Sequence, residues 1–152
     1  MTVQFVTFSI KPGRVPDCRA LIKAAPKPSG LVAYFFVEIG VVNTIIALYE
    51  TDNLPELSQW AAVRWEEARE QNFLRGIFVD SYGGTLPSSL TTAQAIILER
   101  TGDNPMLSPL NGEIGRGVNL LPHQSLDAAL QAAISLRQTS TAETALLIPE
   151  HL

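Results

Sequence analysis

GLVAYFFVEIGVVNTIIALYE, residues 30–50, decides the fold. Leu31 to Glu38 alternates, with Leu31, Ala33, Phe35 and Val37 on one face and Val32, Tyr34 and Phe36 on the other. Alternation of β-branched and aromatic residues predicts a strand. Ile39-Gly40 reads as a turn. Val41 to Glu50 reads as the next strand, with Val41, Ile45 and Ala47 against Val42, Ile46 and Leu48. A connection this short makes the two a hairpin. A sheet with one solvated face alternates apolar with polar residues, but here both faces are apolar. Helices can cover one of them, and something else must cover the other.

Working outward, Val3 to Ile10 is a further strand with apolar bulk on both faces, Val3, Phe5 and Thr7 on one and Gln4, Val6 and Phe8 on the other. Lys11-Pro12-Gly13 is a turn. Pro16 suits a first helical residue and Asp17 a first turn. Val15, Cys18, Leu21, Ile22 and Ala25 then share one helical face before Pro26 and Pro28 stop the helix. Asn53-Leu54-Pro55-Glu56 is a helix start, with Asn53 as cap and Glu56 reaching back. Leu57, Trp60, Ala61, Trp65 and Ala68 form the apolar stripe of that helix.

Phe73 to Tyr82 fits a short strand or a short helix before Gly83-Gly84, and the helical or irregular reading is preferred. Thr91 to Arg100 is then the final strand. The order becomes β-α-β-β-α-β, the split βαβ arrangement of ferredoxin-like folds, an α+β class. Thr101 to Pro122, rich in Gly, Pro and Asn, reads as an extended arm. Ser125 caps a last helix carrying Leu126, Ala129, Leu130, Ala133 and Ile134, and Ala145 to Ile148 can dock as a short strand. The division expected is a domain over 1–110 and an arm, helix and tail over 111–152.

The chain has 152 residues, 46% apolar and 17% charged, with a net charge of −4. A charged fraction of about 25% is usual in soluble domains, so part of this surface is expected to be hidden. With no basic stripe, nucleic acid is not an expected partner. The single Cys18 excludes an internal disulfide and fits a reducing, cytoplasmic compartment. Met1 to Ile10 reads as a strand and not as a signal peptide. No apolar run is long enough for a membrane span.

The ordered set of features resembles the NIPSNAP family of the dimeric α/β-barrel superfamily. Those features are the opening strand into Lys11-Pro12-Gly13, Gly30 to Phe35, Glu38 to Ile45, the helix around Trp65, and the strand Ala95 to Arg100 followed by Asn104-Pro105-Met106-Leu107-Ser108-Pro109. The resemblance covers residues 1–110. The family's opening strand carries a charged Glu-x-Arg element, and here those places, around Gln4 to Ser9, hold Val, Phe and Thr. The resemblance implies a homodimer whose two sheets pack face to face, and a pocket in each subunit between sheet and helices.

Few residues stand out for chemistry. His123 and His151 are the two histidines, and no Cys or His pair has zinc spacing. Gly112, Gly115 and Gly117 are not in dinucleotide-binding order. No cofactor is expected. Cys18 reads as core, and so do Trp60 and Trp65, unless one of the two indoles points into a pocket. Tyr34 and Glu38 share a strand face, and Asn43 shares one with Val41, Ile45 and Tyr49. Tyr34 and Glu38 meet a ligand if their face looks toward the helices and belong to an interface if it looks toward a second copy, and Asn43 is a polar lead among apolar neighbours. His123, able to titrate near neutral pH, either closes a pocket from the arm or stands in solvent. Tyr34, Glu38, Asn43 and His123 are therefore the catalytic candidates, with Arg64, Trp65 and Tyr82 as substrate-binding candidates.

By analogy with the superfamily, the expected function is a cofactor-free enzyme acting on a small apolar organic substrate. It would be an isomerase, cyclase or monooxygenase, as in secondary metabolism. The alternative is a non-catalytic small-molecule-binding or adaptor protein. A closed pocket with converging polar groups distinguishes the two.

Overall fold

The computed structural model describes residues 2–101, 104–112, 116–139 and 143–152. The first elements are β1 (Val3–Ile10), α1 (Val15–Ala24), β2 (Leu31–Ile39), β3 (Thr44–Glu50), α2 (Leu54–Arg69) and β4 (Leu74–Gly84). They are followed by β5 (Ala95–Thr101), β6 (Leu107–Pro109), β7 (Gly117–His123), α3 (Leu126–Thr139) and β8 (Glu143–Glu150). The fold is α+β. All strand pairs are antiparallel, and the strands close into a barrel in the order β1-β3-β2-β8-β5-β7-β6-β4.

The hairpin at the centre of the sequence forms as expected, except that β3 begins at Thr44. Val41 and Val42 stand exposed in the connection, and Asn43 adopts a left-handed backbone (φ 56°) with its carbonyl accepting from the Ile10 N–H at 2.9 Å. Asparagine tolerates that conformation better than most residues. The connection is therefore longer than Ile39-Gly40, because Gly40 and Asn43 supply the turn between them.

The helical or irregular reading of residues 72–88 is overturned. Residues 74–84 are the longest strand, paired with β1 from Val3↔Tyr82 to Ile10↔Leu74. Its glycines and charges weaken local propensity, but pairing to a buried neighbour overrides propensity in sheets. Thus β4, not residues 91–100, completes the first β-α-β-β-α-β unit, whose strands lie in the order β4-β1-β3-β2. Residues 95–101 instead begin a second set, ordered β8-β5-β7-β6. The expected extended arm contains β6 and β7, and the tail contains β8, which is longer than the Ala145–Ile148 segment anticipated.

This arrangement answers the question of the two apolar faces. One face of the first sheet, with Val6, Phe8, Tyr34, Ile45 and Tyr49, lies under α1 and α2. The other, with Phe5, Phe35, Val37, Ile46 and Leu48, faces Ile96, Leu98, Val118, Leu120 and Leu147 of the second set inside the barrel. The cover expected from a second copy comes from the chain's own C-terminal strands. Helix α3 packs on the outside of the second set through Ala129 and Ala133 against Ala95, Ile97 and Leu146.

The helix starts follow their caps. The Asn53 side chain accepts from the Glu56 N–H at 3.2 Å, and its own amide donates back to the Glu56 carboxylate at 2.9 Å. The Ser125 hydroxyl accepts from the Ala128 N–H at 3.1 Å. On α2 the stripe differs by one residue. Leu57, Trp60, Ala61, Arg64 and Ala68 are buried, whereas Trp65 is partly exposed. The 57-61-64-68 spacing keeps Arg64 on the core face, and position 65 turns about 100° further round a helix of 3.6 residues per turn.

Candidate functional site

At the end of the barrel where β1 and β5 finish and β3 and β8 begin lies a cavity of about 480 Å³. Its floor is apolar, formed by Val37, Ile46, Leu98, Ala145 and Leu147. Its rim carries Thr7, Ser9, Thr44, Phe78, Arg100 and Glu143. The alternation that buries Val3 and Phe5 in the barrel sends Thr7 and Ser9 to the same interior face nearer the mouth. The same rule extends Ile96 and Leu98 to Arg100.

Arg100 also lines a second cavity of about 250 Å³, with Asp80, Tyr82, Asn111 and Arg116. The two cavities share Arg100, and the seam of the barrel beside β4 is short. Strand β2 joins β8 from Tyr34↔Glu150 to Ile39↔Leu146, whereas β4 joins β6 only over Tyr82–Gly84. A gap in the wall is left next to Phe78 and Asp80, and Arg100 stands in it. Its guanidinium donates to the Tyr82 hydroxyl at 3.4 Å, and among the described residues it forms no ion pair. A guanidinium has five N–H donors, so this one retains capacity for an acceptor in the cavity.

The residues singled out from the sequence are dispersed. Tyr82 lies at the gap. Tyr34 is buried on the outer face of the first sheet, beneath Lys27, whose ammonium sits 5.3 Å from the ring centroid. The hydroxyls of Tyr34 and Tyr49 are both buried without a hydrogen-bond partner among the described residues. Burial, and then the neighbouring Tyr34, pushes the Tyr49 ionisation well above the ordinary tyrosine range. Glu38 is exposed near the end of β2, where the β2–β8 register shifts between Val37 and Ile39. It therefore does not share a site with buried Tyr34. Asn43 is in the connection already described, not on a strand face with Ile45 and Tyr49.

His123 ends β7 opposite Ala95, at the barrel end away from Arg100, and its carbonyl accepts from the Gln94 N–H at 3.0 Å. Arg64 is buried on α2, paired with Glu67 at 2.9 Å and 5.3 Å from the Trp60 ring. Trp65 lines an outer groove between α2 and β4. Sequence reasoning missed Thr7, Ser9, Thr44 and Arg100. The signal that points to them is interior alternation running into polar residues at one barrel end, and reading it requires knowing which sheet face is inside.

No protein-family model matches the chain, and no curated protein matches it. Among solved structures it is similar to a protein of Agrobacterium tumefaciens, at 19% identity and a TM-score of 0.44 over 56% of this chain and 94% of that one. It is similar to a NIPSNAP family protein of the same organism, at 19% identity and 0.45 over 59% and 97%. It is also similar to an uncharacterised NIPSNAP-like domain protein of Burkholderia xenovorans, at 20% identity and 0.42 over 72% and 92%. Two of these three neighbours carry the name of the family that residues 1–110 resemble. Likeness of this degree assigns no activity. Among the described residues no helix is long and apolar enough to cross a membrane, and no cluster of His, Cys, Asp and Glu is placed to hold a metal ion.

Proposed function

We propose that the chain binds a small, largely apolar organic molecule in the barrel mouth, with an acceptor group of that molecule seated on Arg100. The observation that carries this reading is the position of Arg100. It stands on the barrel interior between two cavities, above an apolar floor, with its guanidinium donating to the Tyr82 hydroxyl. Ligand sites combine an apolar lining with a few placed polar groups, and an arginine fork suits a carboxylate, sulfonate or phosphate. The strand orders β4-β1-β3-β2 and β8-β5-β7-β6 support a further reading. In it the chain is a single-chain counterpart of the dimeric α/β barrel, made of two ferredoxin-like halves, the second lacking a helix between its first two strands.

A cofactor-free isomerase, cyclase or monooxygenase at the same place is the second reading. The observation favouring it is that Asp80 and Glu143 line the cavities that share Arg100, which places proton acceptors near a bound molecule.

The test uses anilinonaphthalene sulfonate as an apolar anionic probe. It is displaced by a series of aromatic and aliphatic carboxylates and by their methyl esters. Acids are expected to compete better than esters, and Arg100→Gln is expected to weaken the acids about tenfold or more, equivalent to about 1.4 kcal/mol, while leaving the esters unaffected. Equal competition by both, unchanged in the variant, overturns the reading. Native mass spectrometry of the purified protein, under gentle and then denaturing conditions, identifies any molecule that co-purifies.

A further inference from the structure

The short seam leaves more than a cavity. On one side β4 pairs with β1 along Leu74–Tyr82. On the other, β6 covers Tyr82–Gly84, and the Ser81 carbonyl accepts from the Leu110 N–H at 3.0 Å. In antiparallel strands, backbone groups point alternately to the two neighbours. Val79 and Ile77 therefore turn their N–H and C=O the same way as Ser81. Among the described residues no strand stands there to receive them.

Edges of this kind recruit other strands unless they are blunted by charge, proline or bulges. Here Gly76-Ile77-Phe78-Val79 carries neither charge nor proline. The register shift lies before Gly76 and the charge of Asp80 after Val79. Beside the edge, Phe78 is 55% exposed and Trp65 38% exposed, and both line the outer groove against α2.

We propose that a second copy of this chain docks on this edge, its own Arg75–Val79 segment pairing antiparallel with this one about a two-fold axis at Ile77. The edge is self-complementary in that register. Ile77 faces Ile77 and exchanges two backbone hydrogen bonds with it. Arg75 faces Val79 and Leu74 faces Asp80, so no like charges oppose. Each Gly76 faces the Phe78 of the other copy. Gly76 already lies under its own Phe78 ring, since a Cβ there would sit 2.7 Å from it, and an aromatic across from a strand glycine is a recurrent stabilising pair. The register also stops short of Ser81, whose carbonyl is taken.

The pairing hides apolar surface in a chain with 17% charged residues. It also walls the gap beside Arg100 with the second copy's Phe78, so the mouth gains a side it lacks in one chain. This association uses a strand edge and not a sheet face, and it stands whether or not Arg100 holds a ligand.

The test is sedimentation velocity of the full chain across a dilution series, with Val79→Pro and Ile77→Cys. A reversible dimer is expected for the parent. Proline at position 79 removes an N–H directed at the open edge and leaves the bonds to β1, so Val79→Pro is expected to keep the parent's circular dichroism and sediment as a monomer. Opposed hydrogen-bonded positions stand about 5.5 Å apart at Cα, within disulfide reach. Ile77→Cys is therefore expected to give a covalent dimer on oxidation, with buried Cys18 uninvolved. A monomeric parent at every concentration, a folded Val79→Pro that still dimerises, or a dimer that Ile77→Cys does not lock each overturns the proposal. Should Val79→Pro fail to fold, the cross-link decides alone.

Discussion

Val37 stands directly opposite Leu147 across the β2–β8 seam, and both side chains are buried inside the barrel. One belongs to the hairpin at the heart of the first sheet and the other to the last strand of the chain. The pair joins the two strand sets where the seam is long. Deleting a buried leucine loses transfer free energy and leaves a cavity, costing about 2–5 kcal/mol. Leu147→Ala is expected to destabilise the protein by that amount in urea denaturation. A loss below about 0.5 kcal/mol, the range of surface changes, would show that the seam does not close in solution.

The same relationship predicts how the first set behaves alone. Residues 1–88 retain β1–β4 and both of their helices. They lose the cover over Phe5, Phe35, Val37, Ile46 and Leu48. That fragment is expected to self-associate or aggregate, because an apolar sheet face left in water is a strong association site. Size-exclusion chromatography with light scattering checks it. A monodisperse, folded monomer of the fragment would mean that the inner face is stable in water without the second set.

Trp60 ties α2 to the segment after α1. Its indole N–H donates to the Pro26 carbonyl at 2.7 Å, and its ring meets Phe8 edge-on at 5.9 Å. Trp60→Phe keeps much of the ring and removes the donor, leaving the carbonyl without that partner. Pro26 is exposed, so the loss is that of an ordinary hydrogen bond, about 0.5–1.5 kcal/mol. The expected loss lies in that range, read from the midpoint of chemical denaturation at constant m-value. No change in midpoint would mean that water replaces the indole at Pro26.

The sequence is legible where one element's periodicity is complete in itself. The alternation of residues 31–38 and the spacing of Val15, Cys18 and Ile22 predict strand and helix correctly because each buried face is continuous. Residues 74–84 defeat the same reasoning. Ile77 and Val79 face the helices, while Gly76, Phe78, Asp80 and Tyr82 face the barrel and its gap, so neither side reads as a clean apolar stripe. Strand β7 hides between Gly117 and Pro122 for a similar reason, since turn-forming residues fall inside a segment held by Ala95–Thr101. Of the candidate site, Tyr82 is legible in the sequence and Arg100 is not, because the role of Arg100 depends on which face of β5 is interior, a property of the closed barrel and not of the strand.

Cys18 gives the last prediction, because its environment sets both its reactivity and a pH dependence. It is fully buried on α1 against the first sheet. Burial, opposed in small part by Arg19, pushes its thiol up from 9.0 to about 12. The folded state therefore favours the neutral thiol. Its contribution to stability is complete below the unfolded value, near pH 9, and is lost as pH rises toward 12. The thiolate is the nucleophile in alkylation. The native protein is thus expected to resist iodoacetamide at pH 8 and to react readily once unfolded in urea. Replacing Cys18 with alanine is expected to flatten the decline in stability between pH 9 and pH 11, measured by urea midpoints against the parent. Rapid alkylation of the native chain at pH 8 would place the thiol in contact with solvent and remove the basis for that pH dependence.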